Sequence, residues 1–226
     1  MMMAPGPLKS AFWTLERQLP EPARLAMMSR RRRGHWRRTG VIFIHVPKAA
    51  GTSVSTALYG RALGHFPAAV VARHCPDLWR DLPSFAVIRD PVERAHSAWR
   101  FARQGGTEAA GAGASARGAV SGAGGFADFV ERLAGMDLTR ADPVFRPQVG
   151  FVCGPDQALL PDAVFRLEAL AKAEVWLGQR LGREIGFPRL NRSDGMVEQI
   201  DPALAQQIGD IYAADSALFH SGQVIR

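Results

Sequence analysis

Only two cysteines, Cys75 and Cys153, occur in the 226 residues. They are too few for a disulfide scaffold or a four-thiolate zinc site, and they read as reduced thiols of a cytosolic protein. No apolar run approaches the roughly 18 residues of a membrane-spanning helix. The N-terminal stretch lacks an uninterrupted apolar segment behind a basic start, so it does not read as a secretion signal. No His/Cys/Asp cluster at ligand spacing points to a metal. Lysine is almost missing: Lys9, Lys48 and Lys172 stand against a much larger number of arginines. That bias reads as genome composition, but it makes each lysine noticeable.

Charged residues make up only 22% of the chain, and they are unevenly placed. Residues 1–40 hold Lys9, Arg17, Arg24, Arg30, Arg31, Arg32, Arg33, Arg37 and Arg38 against Glu16 and Glu21, which accounts for the whole net charge of +7. The rest of the chain is balanced. The expectation is a basic, flexible arm over residues 1–40 and a single neutral domain over 41–226. Such an arm suits anionic lipid, nucleic acid or an acidic glycan, and it equally suits a solvated leader. Met27 or Met28 could be the natural start, which would leave residues 1–26 outside the protein. A nucleic-acid surface spread across the domain does not fit this layout.

Val41-Ile42-Phe43-Ile44-His45 reads as a short strand buried on both faces, the parallel-sheet pattern. Pro47 to Ser53 forms a loop, and Val54 to Leu58 begins a helix that Thr52 or Ser53 could cap. Phe85 to Ile88 is a second strand, and Asp90-Pro91 opens a helix running to about Arg103. Glu93 stands at the capping-box spacing from Asp90. Val70-Val71 is a weak strand candidate, and Gly64 to Pro67 reads as a turn. Gln104 to Gly125 is mostly Gly, Ala and Ser and reads as a mobile loop. A helix over Phe126 to Leu133, a strand over Val164 to Leu167, a helix over Ala169 to Leu181 and one opened by Asp201-Pro202 complete the pattern. The fold class is α/β, with a central parallel sheet flanked by helices.

In open α/β sheets, ligands sit beyond the carboxyl ends of the strands. After the first strand, Lys48, Thr52, Ser53 and the turn N–H groups aim at one point, which suits an anion at a helix N-terminus. Gly51 permits a tight turn or close approach. The order differs from the standard nucleotide P-loop, because Lys48 precedes the glycine. An ordinary surface turn is the plain alternative. Arg89, at the end of the second strand, and Ser97, further along the next helix, form a second candidate anion clamp. Singly, Arg89 could be an ion-pair partner and Ser97 an ordinary helix residue.

Phe43-Ile44-His45-Val46-Pro47-Lys48-Ala49-Ala50-Gly51-Thr52-Ser53 resembles the 5′-phosphosulfate loop of PAPS-dependent sulfotransferases, most closely the carbohydrate sulfotransferases and their bacterial relatives. Val87-Ile88-Arg89-Asp90-Pro91-Val92-Glu93-Arg94-Ala95-His96-Ser97 resembles that family's 3′-phosphate segment. Pro147-Gln148, Phe165-Arg166-Leu167-Glu168, Leu190-Asn191-Arg192-Ser193 and the stretch from Asp215 to Phe219 resemble later segments. Ala49-Ala50 departs from the pattern by losing a hydroxyl. The resemblance implies a P-loop-like nucleotide core and PAPS as the donor, leaving adenosine 3′,5′-bisphosphate. The acceptor would be a hydroxyl or amine of a glycan, lipid-linked sugar or small molecule. It implies that Lys48, Ala50, Gly51, Thr52 and Ser53 hold the 5′-phosphate, that Arg89 and Ser97 hold the 3′-phosphate, and that Lys48 acts on the bridging oxygen.

Among His35, His45, His65, His74, His96 and His220, His65 resembles the position of a basic histidine in glycan-modifying members. It is the leading candidate for the base, a loop or buried structural role being its alternative. His74 is a lesser candidate, His45 suits packing or loop bracing, and Glu93 could serve as base or cap. The rival readings are a small-molecule kinase, which should show a magnesium-holding carboxylate, and a non-catalytic polyanion binder acting through the arm.

Overall fold

A computed structural model describes residues 19–107, 110–188 and 200–226. Along the chain run α1 (Glu21–Thr39), β1 (Ile42–Ile44), α2 (Gly51–Tyr59), α3 (Ala68–His74), α4 (Pro76–Asp81), β2 (Ser84–Ile88) and α5 (Pro91–Arg103). Strands β3 (Gly106–Thr107) and β4 (Ala110–Gly111) follow as a hairpin, then α6 (Ala114–Val120), α7 (Phe126–Ala134) and α8 (Val149–Val152). The last elements are β5 (Ala163–Arg166), α9 (Leu170–Leu181), α10 (Pro202–Ile211) and α11 (Ala213–His220).

The centre is a parallel sheet in the order β1-β2-β5, with Phe43 beside Phe85 and Ile88 beside Arg166. Every residue of β1 and β2 is buried, as expected for parallel strands covered on both faces. The rings of Phe43 and Phe85 meet in a tilted pair, centroids 4.9 Å apart across the strands. Ile225 bridges the outer edge of β5, donating to the Val164 carbonyl and accepting from Arg166 N–H, both at 2.9 Å. The last residues thus occupy a strand edge that would otherwise be open to pairing.

A second, smaller core lies under α5. Ala95, Ala98 and Ala102 form one inward row, and Phe129, Leu133, Phe145 and Ile208 pack against it. Alanines on that row let α7 and α10 approach closely. The Asp90 carboxylate accepts from the N–H groups of Val92 and Glu93, and Asp201 caps α10 in the same way. Both caps satisfy orphan donors of a helix start.

Three expectations are corrected. Within the basic arm, residues 21–39 form a packed helix instead of a flexible leader. Trp36 is buried against Phe66, and Arg33 makes two hydrogen bonds to Asp77 at 2.8 and 2.6 Å. Glu21 pairs with Arg146 at 2.7 Å. Gly40 ends the helix in the left-handed conformation, φ 78°, returning its N–H to Trp36; a side chain would resist that cap. Val70-Val71 lies in α3, not in a strand. Finally, the Gly/Ala-rich stretch 104–125 contains the β3–β4 hairpin and α6, because Ala112, Ala116 and Val120 are buried in the second core. The first 18 residues and the Leu190–Ser193 segment lie outside the described residues.

Candidate functional site

Adjacent parallel strands β1 and β2 deliver their following loops to the same edge of the sheet. The chain leaves β1 at Ile44, turns through Lys48, and enters α2 at Gly51. Lys48 and Ala50 both lie in the left-handed region, with φ of 66° and 58°. Each such conformation costs on the order of 1–3 kcal/mol in a non-glycine residue, so the loop shape is imposed by its surroundings. Gly51 is needed for a different reason: a Cβ there would fall inside the imidazole of His45. No side chain caps α2, so its first-turn N–H groups are available to an anion. Ser53 is buried in that turn and Thr52 is half-buried.

Lys48 is mostly enclosed, and its Nζ lies 4.1 Å from the centroid of the Phe101 ring on α5. Burial, and then repulsion from Arg89, brings its pKa from the ordinary 10.5 down to about 8. The two cations therefore come from separate strand ends and lie within electrostatic reach of each other. The Arg89 side chain is held by Glu93, with Nε and Nη2 each 3.0 Å from one carboxylate oxygen. So Glu93 serves here as the partner of Arg89.

Arg89 is also clamped through its backbone. The fully buried Gln148 accepts from Arg89 N–H at 3.0 Å and donates to the Arg89 carbonyl at 2.8 Å. Asp215, equally buried, accepts from the N–H groups of Gln148 and Val149 at 2.8 and 2.9 Å. Behind it, Arg94 is fully buried 3.7 Å from Asp215 and donates to the Val144 carbonyl. Burial pushes the Asp215 carboxyl upward, while Arg94 and the two N–H groups oppose that shift. Sequence reasoning missed the buried role of Arg94. The signal was its place beside the inward alanine row of α5, where a charged side chain needs an internal partner.

His65 stands on the loop between α2 and α3 with one side exposed. Its Nδ1 is 3.1 Å from the His45 carbonyl. A carbonyl only accepts, so Nδ1 carries the proton and Nε2 is left with its lone pair. The protein crowded around the rest of the ring lowers the His65 pKa; the carbonyl and Asp142 oppose this, and Lys48 adds to it. His45 lies 4.2 Å away, ring centre to ring centre, and burial holds it well below its ordinary value. The Nδ1 of His45 is buried without a hydrogen-bond partner.

The structure thus gathers Lys48, Arg89, His65 and the start of α2, with His45 beneath the loop. Ser97 is half-buried on α5, one turn from Glu93 and one from Phe101. His74 instead sits among Arg30 and Arg73, and His96 stacks on Trp99 and meets Phe126 edge-on. His35 is on α1, and His220 bonds the Ser216 carbonyl at the far end of α11. No group of three or more His, Cys, Asp or Glu among the described residues could hold a metal, and no described helix is long and apolar enough to cross a membrane.

Residues 37–220 match the family model described as "Sulfotransferase family". No curated protein and no solved structure matched the chain.

Proposed function

The chain belongs to the sulfotransferase family, and from that premise we propose that it transfers a sulfuryl group from PAPS to a hydroxyl or amine of an acceptor. The observation that carries this reading is the meeting of Lys48 and Arg89. Two cations from different strand ends lie close enough to repel each other, with Lys48 mostly enclosed, and an anionic ligand there relieves that repulsion.

The residues fit the donor nucleotide. Lys48, the uncapped α2 N–H groups from Ala50 and Gly51 onward, Thr52 and Ser53 would hold the 5′-phosphate. Arg89 and Ser97 would hold the 3′-phosphate, with Gln148 and Asp215 keeping the Arg89 backbone in place. When bound, PAPS supplies the sulfuryl group and departs as adenosine 3′,5′-bisphosphate. Lys48 is suited to face charge growing on the leaving side, since an ammonium in an enclosed site acts more strongly than one in water.

His65 is the proposed base. The bond from Nδ1 to the His45 carbonyl fixes the tautomer and leaves Nε2 to accept a proton from the acceptor. Its lowered pKa keeps it neutral near pH 7, as a base must be. Its open side gives an acceptor a route of approach, and a glycan or lipid-linked sugar is the acceptor class we favour. Transfer of labelled sulfate from PAPS to a panel of sugar acceptors tests the proposal. His65→Ala is expected to lose turnover while still binding adenosine 3′,5′-bisphosphate. Unchanged turnover in that variant removes His65 as base, and no transfer by the intact protein to any hydroxyl or amine counts against the reaction itself.

A further inference from the structure

Helix α5 presents Glu93, Ser97 and Phe101 at successive four-residue steps, a row about 12 Å long. At one end Glu93 holds the guanidinium of Arg89 at 3.0 Å, and at the other the ring of Phe101 lies 4.1 Å from the Lys48 ammonium. Ser97 stands between them. One helix face therefore supports both cations of the donor site, but by different chemistry. A carboxylate takes up N–H donors of its partner, here on Nε and Nη2 of the guanidinium, and leaves Nη1 for a phosphate. A ring face attracts the positive charge without accepting those hydrogen bonds in the usual geometry, which leaves N–H groups free for a ligand.

We propose that Phe101 is a positioning residue of the donor site, its ring face keeping the Lys48 ammonium charged and fixed beside the α2 start. This rests on the assignment of Lys48 to the donor phosphate. The contact matters because Lys48 is otherwise disfavoured as a cation: it is enclosed and faces the like charge of Arg89.

The test replaces Phe101 with phenylalanines carrying one, two and three ring fluorines. These withdraw the negative face of the ring with little change of shape. Selective lysine labelling gives a simple spectrum, since the chain has only Lys9, Lys48 and Lys172. The pKa of Lys48 is read by NMR, and the affinity for adenosine 3′,5′-bisphosphate by calorimetry. The expected result is a stepwise fall in the Lys48 pKa with each fluorine. Bisphosphate affinity at pH 8 should weaken in parallel, by about 3- to 10-fold for Phe101→Leu, and Phe101→Trp should restore it. A Lys48 pKa that ignores fluorination overturns the inference, as does full affinity in the Leu variant. A pKa that follows fluorination supports the Phe101 contact even if the bisphosphate binds no better than ADP, a result that would instead count against the donor assignment.

Discussion

Because Lys48 is held at about 8 in the ligand-free protein, binding of a phosphorylated nucleotide should draw a proton into the site. A phosphate beside the ammonium restores the charged form, returning the pKa to its ordinary 10.5 or above. Near pH 9 the free protein then carries about a tenth of a proton on Lys48 and the complex nearly a whole one, so about 0.9 proton enters on binding. Near pH 7 the uptake falls to about 0.1. The same arithmetic makes binding about tenfold weaker near pH 9 than near pH 7, or about 1.4 kcal/mol. The phosphates contribute little, since their second ionisation, near about pH 6, is largely complete at the lower of these pH values. Calorimetric titration with adenosine 3′,5′-bisphosphate, in buffers of different ionisation enthalpy, reads both quantities. Lys48→Arg is the control, because a guanidinium stays charged throughout. Equal affinity at the two pH values, or the same loss in Lys48→Arg, would refute the reasoning.

The same shift acts on the ligand-free fold in the opposite sense. A lysine whose folded pKa is lowered costs stability while it is charged, and that cost fades as pH rises from about 8 to 10.5. Lys48→Met should therefore raise the stability of the free protein near pH 7 by about 2 kcal/mol, allowing for its partial exposure, and lower bisphosphate affinity; chemical denaturation at pH 7 and pH 10 checks the size and its disappearance. Arg89→Lys should weaken binding of the 3′,5′-bisphosphate while leaving adenosine 5′-monophosphate nearly unaffected, whereas Lys48→Ala should weaken both. Gly51→Ala should displace His45 and destabilise the protein by about 2–3 kcal/mol, with much of that loss absent when His45→Ala is already present; additive losses in the double-mutant cycle would mean the two do not share space. Trp36→Ala should cost about 3–5 kcal/mol in a denaturation experiment, and a neutral result would mean that α1 contributes nothing to the fold.

Part of this architecture could be read directly from the chain. The apolar run around Phe43 and the Phe85–Ile88 segment announce buried parallel strands, and Asp90-Pro91 and Asp201-Pro202 announce helix starts that the structure retains within a residue or so. These signals are local: periodicity, a cap, a proline. What escaped depends on partners distant in sequence. The arginines of α1 read as a solvated run because Asp77, which takes Arg33, lies 44 residues away. The Gly/Ala-rich stretch carries too little apolar surface to announce itself, yet alanine is the size that fits against α5. Val70-Val71 favours a strand by its branching, but α3 buries Val71 in the main core. At the site, the Lys48 and Arg89 segments were legible by their order after the strands. The Gln148–Asp215 brace was not, since its hydrogen bonds join segments 59 and 67 residues apart.

The claim that one nucleotide bridges Lys48 and Arg89 is tested most directly by calorimetric comparison of adenosine 3′,5′-bisphosphate with ADP and ATP. The account predicts a clear preference for the bisphosphate, because only it carries a phosphate at each end of the ribose for the two cations. Equal or tighter binding of ADP or ATP would contradict it.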